Sequence, residues 1–156
     1  MNIGCRIEGR YHELLTSYEV DGVDIANSGG KAMPWRYHQC DASRLPFADA
    51  EFDLAVAIES FEHIKNNVQA MQEVARTLKP GAWLVISTPT HWTLPFEFGR
   101  HGPHYSNKAA LIKLLEDNGF EVVSWKACGG GVFWLANILK SWISPIGYRL
   151  LSKGWW

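Results

Sequence analysis

Apolar residues in this chain fall into short runs divided by turns rich in glycine, proline and acids. The stretch from Tyr37 to Ile64 carries the clearest pattern. A short strand runs into Asp41, and a tight loop with Pro46 follows. An apolar run of strand length, Phe52 to Ile58, then stops at Glu59, Glu62 and His63. Neighbouring strands whose C-terminal ends carry polar groups predict the ligand crevice of an open, doubly wound, mostly parallel α/β sheet.

The pattern extends outward from that stretch. Asn2-Ile3 reads as the end of a first strand, followed by a glycine turn from Gly4 to Gly9. This strand is short, so residues upstream are expected to be missing. Tyr11, Leu14, Leu15 and Tyr18 would share one face of a helix. Val20 to Ile25 predicts a second strand carrying Asp24, 20 residues after Gly4. The segment 27–34, with adjacent glycines and Pro34, has room for at most a short helix. Trp35 to Gln39 and Phe52 to Ile58 are the third and fourth strands. Asn67 to Lys79 predicts a helix with Val68, Met71, Val74, Ala75 and Leu78 on its apolar stripe. Asn66 and Gln69 suit a capping box, and Pro80-Gly81 ends the helix. Trp83 to Ser87 reads as a buried strand, followed by a long loop, 88–105, of the kind that often binds ligands. Ser106 is placed to cap a further helix that ends at Asn118-Gly119, with Leu111, Leu114 and Leu115 inward. Phe120 to Cys128 completes six strands.

The character changes after Gly129-Gly130-Gly131. Residues 132–143 are apolar around almost the whole helical circumference, and Pro145 breaks the run. Such a helix packs on its own domain or sits at a protein or membrane surface, so 132–151 is the stretch expected to make a peripheral contact. The chain therefore divides into an α/β domain, 1–128, and an aromatic-rich helical segment, 129–156. Its end at Trp155-Trp156 suggests that a final strand is also missing.

Composition narrows the picture. The 156 residues suit one domain, and 47% hydrophobic with 20% charged content is ordinary globular usage. A formal net charge of −1 gives no electrostatic case for nucleic acid. Cys5, Cys40 and Cys128 have no CxxC spacing and suit a reducing, cytoplasmic compartment. No signal peptide and no membrane-spanning run of about 18 apolar residues is visible.

Several segments together resemble class I S-adenosylmethionine-dependent methyltransferases of the type 11 methyltransferase-domain family. These are Asn2 to Cys5, Gly22 to Ile25, and Cys40-Asp41-Ala42-Ser43-Arg44-Leu45-Pro46-Phe47. Phe52-Asp53-Leu54 with Glu62-His63-Ile64 follows, then Glu73 to Gly81, Ile86 to Pro89, and Leu111 to Phe120. The segments stand in family order and cover most of the chain. The resemblance implies S-adenosylmethionine as cofactor and a small-molecule methyl acceptor. It implies a cofactor site at Gly4, Cys5, Gly9, Asp24, Ile25, Asp41, Ala42 and Ile58.

Chemistry supports those assignments. A glycine turn allows close backbone approach to the methionine part of the cofactor. Asp24 can accept from both ribose hydroxyls, Asp41 and Ala42 would line the adenine slot, and the backbone at Ile58 would face the amino-acid end. Asp53, which opens a buried strand, reads as structural. Methyl transfer from an activated sulfonium depends mainly on proximity. A base serves only some acceptors, and Glu62, His63, His91 and His104 are positioned for it. No metal site is expected, since His101 and His104 pair without nearby cysteines, and no G-x-S-x-G elbow suggests a hydrolase.

The glycine turn departs from the family's G-x-G-x-G, with Arg6-Ile7 in place of the middle glycine. That change motivates one rival, a cofactor-binding or scaffold protein without catalysis. A nicotinamide dinucleotide-binding oxidoreductase is the other, disfavoured because Glu8 in the turn would repel a pyrophosphate.

Overall fold

The strands β1 (Asn2–Ile3), β2 (Asp21–Asp24), β3 (Arg36–Gln39), β4 (Phe52–Ile58) and β5 (Leu78–Ser87) lie parallel in one sheet. Their order is β3-β2-β1-β4-β5. The computed structural model describes residues 1–6, 9, 11–29, 35–88 and 108–126. The order reverses direction between β1 and β4. That point is where an open α/β sheet presents its crevice, outside the C-terminal strand ends. Two helices are described, α1 (Asn67–Thr77) and α2 (Lys108–Asp117).

Strand β4 forms where its apolar run predicts. Ala55 and Ala57 turn to one face and pack with Ile3, Val23, Phe61, Met71 and Val74. Val56 turns to the other, with Leu15 and Val20, and Trp35, Leu54 and Ile58 pack against that cluster. A strand apolar on both faces is expected inside a parallel sheet.

Helix α1 buries Ala70, Met71, Val74 and Thr77, whereas Val68, expected in its stripe, is half exposed. The capping box does not form. Asn66 Nδ2 instead donates to Gln69 Oε1 at 2.6 Å. The helix ends at Thr77, short of the predicted Lys79, for a local reason. The Thr77 hydroxyl donates back to the carbonyls of Glu73 (3.0 Å) and Val74 (3.2 Å). The carbonyls of Arg76 and Thr77 are taken by the amides of Ala50 and Glu51. Leu78 is then free to pair with Phe52, and β5 begins five residues before the predicted Trp83. The register slips between Phe52 and Leu54, which absorbs Pro80-Gly81.

Helix α2 closes as the Asn118-Gly119 signal predicts. Gly119 has φ 83°, its amide donates to Glu116 O, and Phe120 N donates to Leu115 O. This is a Schellman closure. Leu111 and Leu115 are buried, and Leu114 packs beside them. Ser106 lies outside the described residues.

Two expected elements are absent. The helix expected through Tyr11–Tyr18 is a single 3-10 turn, His12–Leu15; Leu15 is buried, whereas Leu14 and, beyond the turn, Tyr18 are exposed. Gly9 and Tyr11, both at positive φ, kink the entry, and Thr16 and Ser17 favour turns over helix continuation. Residues 120–126 join no strand ladder, and Val123 and Trp125 are exposed, so the predicted sixth strand does not form there. The segment 129–156, including 132–151, lies outside the described residues.

A charged clamp ties α1 to the loop after β3. Arg76 pairs with Glu73 at 2.8 Å and donates to Phe47 O and to Asp49 at 2.8 and 2.7 Å. Glu73 accepts from Leu45 N at 2.8 Å. Arg76→Ala is therefore expected to cost about 1.5–3 kcal/mol in chemical denaturation, the range for hydrogen bonds to charged groups. A loss near zero would show the clamp to be a solvated ion pair.

At the opposite, N-terminal end of the strands, Asp21 is buried against Arg36 and His38. Arg36 Nε and a terminal guanidinium nitrogen donate to its two oxygens at 2.9 and 2.7 Å, and His38 Nε2 lies 2.7 Å from Oδ1. The Arg36 guanidinium first, and His38 less, hold the Asp21 carboxyl below the usual carboxylate range against the opposing effect of burial. A depressed folded value stabilises above the unfolded carboxyl value, about 3.9, and the gain is lost as pH falls through the folded one. Asp21→Asn is expected to flatten the acid limb of the stability profile below about pH 4. An unchanged acid limb would overturn this.

Candidate functional site

The C-terminal strand ends bring most of the predicted site residues to one edge. Asp24 and Gln39 are paired in register there, as are Ile58 and Ser87. Gly4 leaves β1 at φ 71°, with its amide donated to Val23 O at 2.8 Å and that of Cys5 to the same oxygen at 3.3 Å. The turn is thus tied to β2. Arg6 sits at φ 52° and donates its amide to Asp24 Oδ2 at 2.8 Å, while Ala26 N donates to Oδ1 at 2.9 Å. Each Asp24 oxygen holds one backbone donor and retains lone-pair capacity for another.

Gly4 and Gly9 are both required sterically. A Cβ on Gly4 would lie 2.5 Å from Ser60 Cβ, and one on Gly9 would lie 1.9 Å from the Trp35 ring. Gly9 is at φ 66°. Arg6 is exposed; Ile7 and Glu8, and with Glu8 the argument against a dinucleotide, lie outside the described residues.

Cys5 is buried beneath the turn. Burial first, and the nearby Asp24 charge second, push its thiol up to about 12. Cys40, at the end of β3, is raised by burial and then by Asp41 and Asp24. Both are neutral thiols at physiological pH and act as packing groups.

Beyond β3, Asp41 is exposed and accepts from Ser43 N and Ser43 Oγ, each at 2.8 Å. Ala42 is buried, Ile58 is half-buried, and Ile25 is 72% exposed at the rim. Glu59 leaves β4 at φ 47°, a strained conformation for a residue with a side chain. Of the candidate bases, Glu62 is buried at 1% exposure and His63 lies at the surface. His91 and His104 lie outside the described residues. Asp53 lies far from this edge and is paired with Lys79 at 2.8 Å.

Ser60 and Trp35 are residues that sequence reasoning missed. Ser60 immediately precedes a 3-10 turn, Phe61–His63, and would be read as its cap, but it makes no side-chain capping bond. Trp35 has no sequence signal tying it to Gly9. Among the described residues no group of three or more His, Cys, Asp or Glu is gathered to hold a metal, and no helix is long and apolar enough to cross a membrane.

A parallel sheet with a switch point, a glycine turn there, and an acid at the end of the adjacent strand form the arrangement at which open α/β sheets take their ligands. Residues 1–86 match the family model described as a methyltransferase domain, and the chain belongs to that family, whose cofactor is S-adenosylmethionine. It is 37% identical over 97 residues to the O-methyltransferase resE of Aspergillus sclerotiorum, covering 57% of this chain and 37% of that protein. It is 37% identical over 135 residues to a protein of Mycolicibacterium smegmatis named "probable S-adenosylmethionine-dependent methyltransferase", covering 78% of this chain and 51% of the other. The chain spans about a third to a half of the length of the first curated relatives it matches. A solved S-adenosylmethionine-dependent methyltransferase of Methanosarcina mazei shares the fold, with TM-score 0.63, 23% identity and coverage of 77% and 78% of the two chains.

Proposed function

We infer that this chain binds S-adenosylmethionine at the C-terminal edge between β2, β1 and β4 and transfers its methyl group to a small-molecule acceptor. The observation that carries this reading is Asp24, fixed by two backbone amides at the end of β2, beside a glycine turn at the switch point. Its carboxylate would accept from the ribose hydroxyls. S-adenosylmethionine, when bound, would supply a methyl already activated on its sulfonium, the sulfur being released as a neutral thioether.

The chain's task is then to hold and orient. Gly4 lets the turn approach β4 closely, and Asp24, Asp41 and Glu59 make the strand-end edge acidic. An acidic edge favours a ligand bearing a sulfonium and an ammonium, and disfavours a pyrophosphate. The relative named as an O-methyltransferase supports a hydroxyl acceptor.

The test is incubation with methyl-labelled S-adenosylmethionine and a pool of small metabolites, read by mass spectrometry. Labelled products with matching S-adenosylhomocysteine are expected. Cofactor that binds but is never consumed would overturn the transferase reading in favour of a scaffold.

A further inference from the structure

We propose that residues 122–156 form a membrane-docking surface whose partner is an anionic lipid bilayer. The proposal concerns where the protein sits and is independent of the reading under Proposed function.

The net charge of −1 hides a division along the chain. The chain holds 15 lysines and arginines and 16 aspartates and glutamates. Residues 122–156 hold four of the basic ones, Lys126, Lys140, Arg149 and Lys153, and none of the acidic. Residues 1–121 therefore carry 11 basic against 16 acidic residues, a charge of −5, while the last 35 residues carry +4. Five of the eight tryptophans, Trp125, Trp134, Trp142, Trp155 and Trp156, fall in that same stretch. Such a division of sign within one chain points to a partner of negative charge for its basic part.

The described start of the stretch shows how it meets solvent. Phe120 and Val122 pack against the core, whereas Val123 and Trp125 are exposed. Lys108 Nζ lies 5.1 Å from the centre of the Trp125 ring, and Lys126, next in sequence, is exposed. Phe120 lines a cleft with Leu78 and Ala82, so the chain leaves α2 beside β5. On β5, Leu84 and Ile86 pack against the same core, while Trp83 and Val85 are exposed. Four large apolar side chains, two of them tryptophans, thus stand exposed on neighbouring segments, with lysines next to one of the rings. Contiguous exposed apolar groups mark contact surfaces.

Chemistry selects the partner. Nucleic acid would meet the four cations but would leave the apolar residues of 132–143 in water. A bilayer takes both. Tryptophan suits the headgroup level, where its ring is half immersed and its N–H stays wet. Apolar residues enter the acyl boundary, and lysine and arginine meet anionic headgroups. The same headgroups repel the acidic body, which turns the C-terminal stretch toward the membrane.

The experiment sediments the whole chain with vesicles of phosphatidylcholine, or of phosphatidylcholine and phosphatidylserine in equal parts. Partition into the anionic vesicles is expected to be at least roughly tenfold stronger. Raising the salt from about 0.1 M to about 1 M shortens the Debye length from about 10 Å to about 3 Å, and that preference is expected to vanish. The combined variant Lys126→Gln, Lys140→Gln, Arg149→Gln, Lys153→Gln is expected to lose the preference at low salt while keeping its melting temperature. No sedimentation with either vesicle, equal partition into both, or a preference that survives high salt would overturn the proposal. So would a folded glutamine variant that keeps the preference. Should that variant melt early, the salt titration of the unaltered protein decides alone. Binding to a homopolymer RNA with none to vesicles would assign the same charges to nucleic acid and also overturn it.

Discussion

Gly9→Ala is expected to lower the unfolding free energy by about 2–4 kcal/mol, the largest stability effect of any single methyl addition considered for this chain. Two costs add. Gly9 sits at φ 66°, where an L-residue is strained by about 1–2 kcal/mol. Its new Cβ would also fall within 1.9–2.5 Å of three Trp35 ring atoms. The ring cannot easily retreat, because it also lies against Gly22 and packs on the cluster of Leu15, Val20 and Val56. Gly29→Ala is the control. Gly29 has a similar φ, 61°, but nothing within 4 Å of its added methyl. It carries the backbone cost alone, and denaturant titration of the two variants separates strain from overlap. Equal losses would mean that Trp35 does not hold the turn.

Asp24→Ala is expected to weaken S-adenosylhomocysteine binding by about 1.5–3 kcal/mol, the range for charge-assisted hydrogen bonds. 5′-Methylthioadenosine has the same nucleoside without the amino-acid end, so it should lose the same amount. That pattern distinguishes Asp24 from a residue reading the amino-acid end. The variant also frees the amides of Arg6 and Ala26, so its ligand-free melting temperature falls. Asp24→Asn keeps one acceptor oxygen, without the charge, and is expected to retain part of both. Unchanged affinity in Asp24→Ala would mean that another group binds the ribose.

Much of the fold was legible in the sequence, and the failures have physical causes. Strand β4 was readable end to end because its apolar run coincides with a central strand whose Ala55, Val56 and Ala57 are buried. The closure of α2 was readable because Asn118-Gly119 is a local signal for a local motif. The start of β5 was not. Pro80-Gly81 is a strong stop signal, but the helix had already ended at Thr77 through its hydroxyl and through amides of Ala50 and Glu51, distant in sequence. The turn at His12–Leu15 was mistaken for a helix because the apolar spacing was right. The positive φ of Tyr11 has no sequence signature.

The site divides in the same way. Asp24 and the glycine turn could be read from their spacing along the chain. Ser60 could not, because a serine at a turn spells a cap until β1 is placed beside it. The packing of Gly9 on Trp35 depends on two segments meeting across β2, and nothing local marks it.

The central claim is that the edge formed by Gly4 and Asp24 binds S-adenosylmethionine despite the lengthened turn. Calorimetric titration of the unaltered protein with S-adenosylhomocysteine tests it most directly. Saturable one-to-one binding that Asp24→Ala weakens by about 1.5–3 kcal/mol is the predicted result. A folded protein that takes up no S-adenosylhomocysteine would contradict the account.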